Sequence, residues 1–142
     1  MRRFYIFSVR EELLTLYDEN PGNLYKILKS IYLMKENDLT YGYNLFKQIC
    51  KSIENLEINN KLYLQMHNDL VYTKIGNEHI INNLYKDEVS ILKVKRSHLL
   101  LDSNSSYSSF FKFLDKNNKN YFICDFKSDD YFFLKDIELV VN

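Results

Sequence analysis

The two ends of this chain both read as buried strand, and that constrains the fold more than any other feature. Residues 4–9 (FYIFSV) and residues 121–126 (YFICDF) are short, aromatic and β-branched, with charge returning close by on each side. Runs of this kind suit strands covered on both faces. Strands from opposite ends of one chain argue for a shared sheet with the intervening helices packed on it. The fold class expected is therefore α/β (α+β): a single domain over residues 1–142, with a mixed sheet of about five strands in the order β-α-α-α-α-β-β-α-β-β. A chain of 142 residues buries roughly 68% of its unfolded surface, so it needs no disulfide or metal staple.

Between the terminal strands the pattern is helical, then extended. Ser8 followed by Glu11 fits a capping box, which predicts a helix at once, reaching about Tyr17. DENPG (18–22) reads as a turn, with Asn23 capping a second helix on which Leu24, Ile27, Leu28 and Ile31 share a face. Thr40 is placed to cap a third, whose stripe is Leu45, Phe46, Ile49, Ile53 and Leu56, with Lys47, Gln48 and Lys51 opposite. Residues 59–72 fit a helix through Leu62, Met66 and Leu70 or a strand through Leu62, Leu64 and Met66, and are read as helix. After Asp87, residues 89–94 and 98–101 read as a hairpin. Ser103 to Ser106 offers caps for a helix bearing Tyr107, Phe110, Phe111 and Leu114, and YFICDF-KSDD-YFFL closes the chain as a second hairpin.

Chemistry-bearing motifs are scarce. His67, His79 and His98 lack metal-ligand spacing, and with three glycines the chain has no phosphate-binding loop or nucleophile elbow. Glu11 and Glu12 are neighbours on a helix and point about 100° apart, so they are no catalytic pair. Asp125, Asp129 and Asp130 read as a polar hairpin turn, since Asp130 stands where a calcium loop needs Gly. Lys93, Lys95 and Arg96 could touch phosphate, but an exposed bend carries charge anyway. The 19 basic and 19 acidic residues balance, which argues against a nucleic-acid partner. Cys50 and Cys124 could pair, but without a secretion signal they read as buried free thiols. No stretch reaches the roughly 20 apolar residues of a membrane span, so the expected location is cytoplasmic.

The first helix carries more apolar arc than one core contact needs, with Val9, Leu13, Leu16 and Tyr17 on one side and Leu14 away from them. Either the helix is wedged deep between neighbours, or one edge, with Leu13 and Tyr17 a turn apart, meets a partner.

The opening MRRFYIFSVREELLTLY resembles the start of the sporulation inhibitor of replication (SirA) family. FKQICKSI resembles a KQ-led helical stretch of that family, LQMHNDL its Met-His segment, and YFICDFKSDDYFFL its closing strand, turn and aromatic strand. The matches stay in order over nearly the whole chain, more weakly from Tyr72 to Asp87. The resemblance implies a non-enzymatic inhibitor that binds the N-terminal domain of the replication initiator DnaA and halts new rounds of initiation as a cell commits to sporulation. It implies no cofactor, metal, membrane, direct nucleic-acid contact or small-molecule substrate. It also implies a binding surface on the first and the KQ-bearing helices, where Leu13 takes the place of a family Phe, Tyr17 of a Tyr and Gln48 of a Gln. Lys51 stands where the family has a Tyr, a departure that leaves open an adaptor or regulator with a different protein partner. Gln48 and Lys51 beside Tyr17 would give an apolar anchor with a polar rim.

Overall fold

A computed structural model describes residues 1–137. The elements run β1 (Arg2–Val9), α1 (Glu11–Asp18), α2 (Pro21–Tyr32), α3 (Leu39–Ile49), β2 (Cys50–Lys51), α4 (Asn55–Met66), β3 (Tyr72–Ile75), β4 (Glu78–Asn83), β5 (Glu88–Val94), β6 (Leu99–Ser103), α5 (Phe110–Asn117), β7 (Tyr121–Asp125) and β8 (Asp130–Phe133). Single 3-10 turns precede α3 and follow β8. The sheet order is β3-β4-β5-β6-β1-β7-β8, with β2 on the end of β1. Every pairing is antiparallel.

The terminal strands meet at the centre, as their composition requires. β1 pairs with β6 from Arg2↔Ser103 to Ile6↔Leu99 and with β7 from Tyr5↔Cys124 to Ser8↔Tyr121. Side chains alternate across a strand, so Phe4 and Ile6 join one core and Phe7 and Val9 the other. In β7, Tyr121 and Ile123 face the first core, and Phe122 and Cys124 the second. Helices α4 and α5 cover the first face through Leu62, Met66, Phe110, Phe111 and Leu114. The second face is covered by α2 through Leu24, Tyr25 and Leu28, by Ile49 of α3, and by the half-buried Leu13, Leu14 and Tyr17 of α1. Burying both faces of the middle strands is what makes FYIFSV and YFICDF apolar throughout.

The α+β class and the two expected hairpins are present, and residues 55–66 are helical, but the sheet has eight strands. The additional ones are β2 and the β3–β4 hairpin. The hairpin turns through Gly76, whose φ of 59° suits glycine, with Ile75 opposite Glu78. Four helix starts also differ: α3 begins at Leu39 with Asp38 in the cap position, so Thr40 lies inside its first turn. Ser8 lies in β1, where its hydroxyl accepts from Asn118 Nδ2 at 3.1 Å, and Arg10 occupies the cap position of α1. Pro21 takes the first position of α2 and draws PG into the helix. Ser109 caps α5 by position, but the acceptor is Glu88, whose Oε2 receives the Ser109 backbone N–H at 3.0 Å. Leu70 lies beyond α4, fully exposed.

Candidate functional site

The first and third helices are joined end to end. Arg10 leaves β1 in extended conformation, φ −61° and ψ 135°, and its backbone N–H donates to the Ile49 carbonyl at 2.8 Å. Its Nε donates to the Lys47 carbonyl at 2.6 Å. Both acceptors are last-turn carbonyls of α3, which lack helical partners and sit at the negative end of the helix dipole. The chain then leaves α3 to pair with β1, Cys50 opposite Val9 and Lys51 opposite Ser8. At the other end of α1, Asp18 pairs with Lys135 at 2.7 Å.

This junction corrects the expected register of the third helix. The stripe through Ile53 and Leu56 is no helix face: α3 stops at Ile49, Ile53 enters the opposite core, and Leu56 is exposed. Lys51 accordingly projects from a strand, exposed, while Gln48 is exposed on the last turn of α3. Gln48 and Lys51 thus lie on either side of the α3–β2 junction that Arg10 holds against the start of α1.

Helix α1 has no buried residue, so it is not wedged between neighbours. Leu13, Leu14 and Tyr17 are half-buried against the second core, and Leu45 and Phe46 of α3 pack on the same cluster. Leu14 therefore sits with Leu13 and Tyr17, and it is Leu16 that turns outward, 60% exposed. The Tyr17 ring has one side on the core, and its hydroxyl has no partner among the described residues. Leu16 was legible only as part of an apolar arc; its outward position follows from Leu14 taking the core contact. Glu11, Glu12, Lys47, Gln48 and Lys51 supply the exposed polar rim. Lys47 lies over the Tyr43 ring, 4.5 Å from its centroid.

The site offers no reactive group. Burial pushes the Cys50 thiol up to about 12, with only a smaller opposing pull from Arg10, so it stays protonated and a poor nucleophile. Cys50 and Cys124 are both free and buried. Among the described residues no three His, Cys, Asp or Glu side chains gather to hold a metal ion, and no helix is long and apolar enough to cross a membrane. What the arrangement supplies is a half-exposed tyrosine, an outward leucine and an amide, ringed by charge.

No curated protein matches the chain. The family model described as "Sporulation inhibitor of replication protein SirA" matches residues 2–138, so the central strands, the α1–α3 junction and the closing hairpin all fall inside the match, and the chain belongs to that family.

Proposed function

We propose that this protein inhibits replication initiation during sporulation by binding the N-terminal domain of DnaA through α1 and the end of α3. The family carries the replication-inhibiting role. The observation that carries the docking surface is the half-exposed Tyr17 ring on a helix anchored to the Gln48-bearing turn. Tyr17 and Leu13 form the apolar anchor, Leu16 extends it, and Gln48 and Lys51 form the rim, the usual anatomy of a recognition patch. The mechanism is occupancy: the protein covers a surface that the initiator needs for self-assembly or for recruiting other factors. An interface of roughly 1,600 Å² in total is ordinary for such a complex. The action is non-enzymatic and cytoplasmic, and it needs no cofactor.

Lys51 supports a second reading. It puts a cation where the family resemblance implies a tyrosine, and a protein partner other than DnaA with a carboxylate facing that position would suit it. Expressing the protein in its host and measuring the ratio of origin to terminus DNA tests the first reading. A fall supports inhibition of initiation. An unchanged ratio, with a pull-down that returns another protein and no DnaA, transfers the function to the second.

A further inference from the structure

Beside α3 lies a groove of about 480 Å³ whose walls come from α2, α3, β1, β6 and the segment before β6. Its size falls within the range of small-molecule sites, which are mostly apolar with a few placed polar groups. Leu28, Ile31, Tyr32, Leu39, Tyr43 and Phe46 form much of the wall. Tyr32, Leu39 and Tyr43 are each more than half exposed at its lip, an arrangement that leaves apolar surface in water unless something covers it.

The polar groups gather at the strand end. Arg3 and Lys95 are the charged residues lining the groove, and no carboxylate lines it. Arg3 is already satisfied by two bonds to Asp102, at 2.8 and 3.0 Å. Lys95 has no ion-pair partner among the described residues. Beside it the His98 ring stacks against Tyr5, centroids 5.3 Å apart, and its Nδ1 is engaged by the Ser97 hydroxyl at 2.7 Å. Nε2 has no protein partner among the described residues and is not a buried orphan. In the tautomer whose Nδ1 accepts from the Ser97 hydroxyl, Nε2 carries the proton and can donate. One unpaired ammonium and one free N–H at the end of an apolar trough select a single negative charge on a hydrocarbon body.

We propose that this groove binds one free amphiphilic carboxylate, its chain lying along Ile31, Tyr32, Leu39 and Phe46 and its anionic end at Lys95 and His98. A bilayer lipid fits less well, because recognition of anionic membranes draws on clusters of about four to eight cations, and only Lys95 is uncommitted here. Phe46 of α3 lines this groove and also packs on the cluster that holds Leu13 and Tyr17, so α3 contributes to both surfaces.

The three methionines provide the test: Met34 lines the groove, and Met66 is buried in the opposite core. The full chain carrying 13C-methyl methionine is titrated with monomeric dodecanoate, dodecanol, dodecyltrimethylammonium and phosphatidylglycerol vesicles. Dodecanoate is expected to shift Met34 saturably at one equivalent and leave Met66 in place. The cationic amphiphile is expected to bind about tenfold more weakly, since it meets Lys95 with like charge. Lys95→Met, a change at an exposed side chain, is expected to weaken dodecanoate about fivefold, the size of an exposed ion pair. An unmoved Met34, equal affinity for the cationic amphiphile, Met34 and Met66 shifting together, or binding to vesicles alone overturns the proposal. So does a dimer in sedimentation that Leu39→Glu dissolves, because a second copy then covers the groove. If the DnaA N-terminal domain shifts Met34 and dodecanoate does not, the partner covers it, and the proposal is likewise overturned.

Discussion

The backbone N–H of Arg10 donates to the carbonyl of Ile49 at 2.8 Å, so the first helix begins where the third one ends. A residue that closes β1, opens α1 and terminates α3 fixes the relative placement of the two helices that carry the candidate surface. The Arg10 side chain repeats the link at Lys47. Arg10→Ala keeps the backbone bond and removes the side-chain one. Loss of an exposed, charge-assisted bond at a helix C-terminus is expected to cost about 1 kcal/mol of stability. Urea denaturation reads it as a lower midpoint with an unchanged m-value.

Leu16 separates binding from folding. It is the outward apolar residue of α1, so Leu16→Glu is expected to leave stability within about 0.5 kcal/mol. The same substitution places a charge beside the proposed Leu13–Tyr17 anchor and is expected to weaken the complex about tenfold. Calorimetry on the variant and the isolated DnaA N-terminal domain measures both quantities.

Glu88 is the most heavily hydrogen-bonded carboxylate among the described residues. It is buried and accepts from the hydroxyls of Ser90 at 2.6 Å, Ser108 at 3.2 Å and Ser109 at 2.5 Å, as well as from the Ser109 backbone N–H. Burial alone raises its pKa, but these donors outweigh that and hold it below the ordinary carboxylate range. Glu88→Ala leaves several donors without an acceptor and uncaps α5, with an expected loss of about 3 kcal/mol. Chemical denaturation of the variant checks it, and a loss under 1 kcal/mol contradicts the network's role.

The protein is expected to lose stability in mild acid because of two imidazoles, one buried and one half-buried. His79 is fully buried, with Nδ1 2.6 Å from the Tyr72 hydroxyl and Nε2 2.7 Å from Asn59 Oδ1. Burial, with Lys74 adding to it, pushes His79 down to about 4, against 6.5 unfolded. Between those values the unfolded chain binds a proton that the folded one does not, so stability falls as pH drops through the window. From His79 alone the loss between pH 7 and pH 5 is roughly 2 kcal/mol. His98, lowered to about 4 by burial and then by Lys95, acts in the same direction. Thermal unfolding across this range measures the slope, and His79→Gln is expected to flatten it.

The sheet centre was legible because most of β1 and β7 is buried on both faces, which makes FYIFSV and YFICDF nearly continuous apolar runs. The β3–β4 hairpin was not. Its outward residues, such as Thr73, Lys74 and Ile75, are exposed, so its sequence lacks the apolar run that marked the other strands, and the turn at Gly76–Asn77 was its best signal. The third helix was read too long for another reason. Ile53 and Leu56 continue its 3.6-residue period, but the end of β1 takes Cys50 and Lys51 as a partner strand, a demand invisible to local periodicity. Of the candidate site, the half-buried Tyr17 and the exposed Gln48 follow from helical phase. Lys51 is exposed, as its helical phase predicts, but it stands on a strand, and the Arg10 link, being side chain to main chain across 37 positions, leaves no pattern in sequence.

Docking through α1 turns on Tyr17, and the affinity of Tyr17→Ala for the isolated DnaA N-terminal domain tests it most directly. With the fold intact by circular dichroism, the variant is expected to bind about 2 kcal/mol, or roughly 30-fold, more weakly than the natural protein. Equal affinity of the two, or no binding by the natural protein, contradicts it.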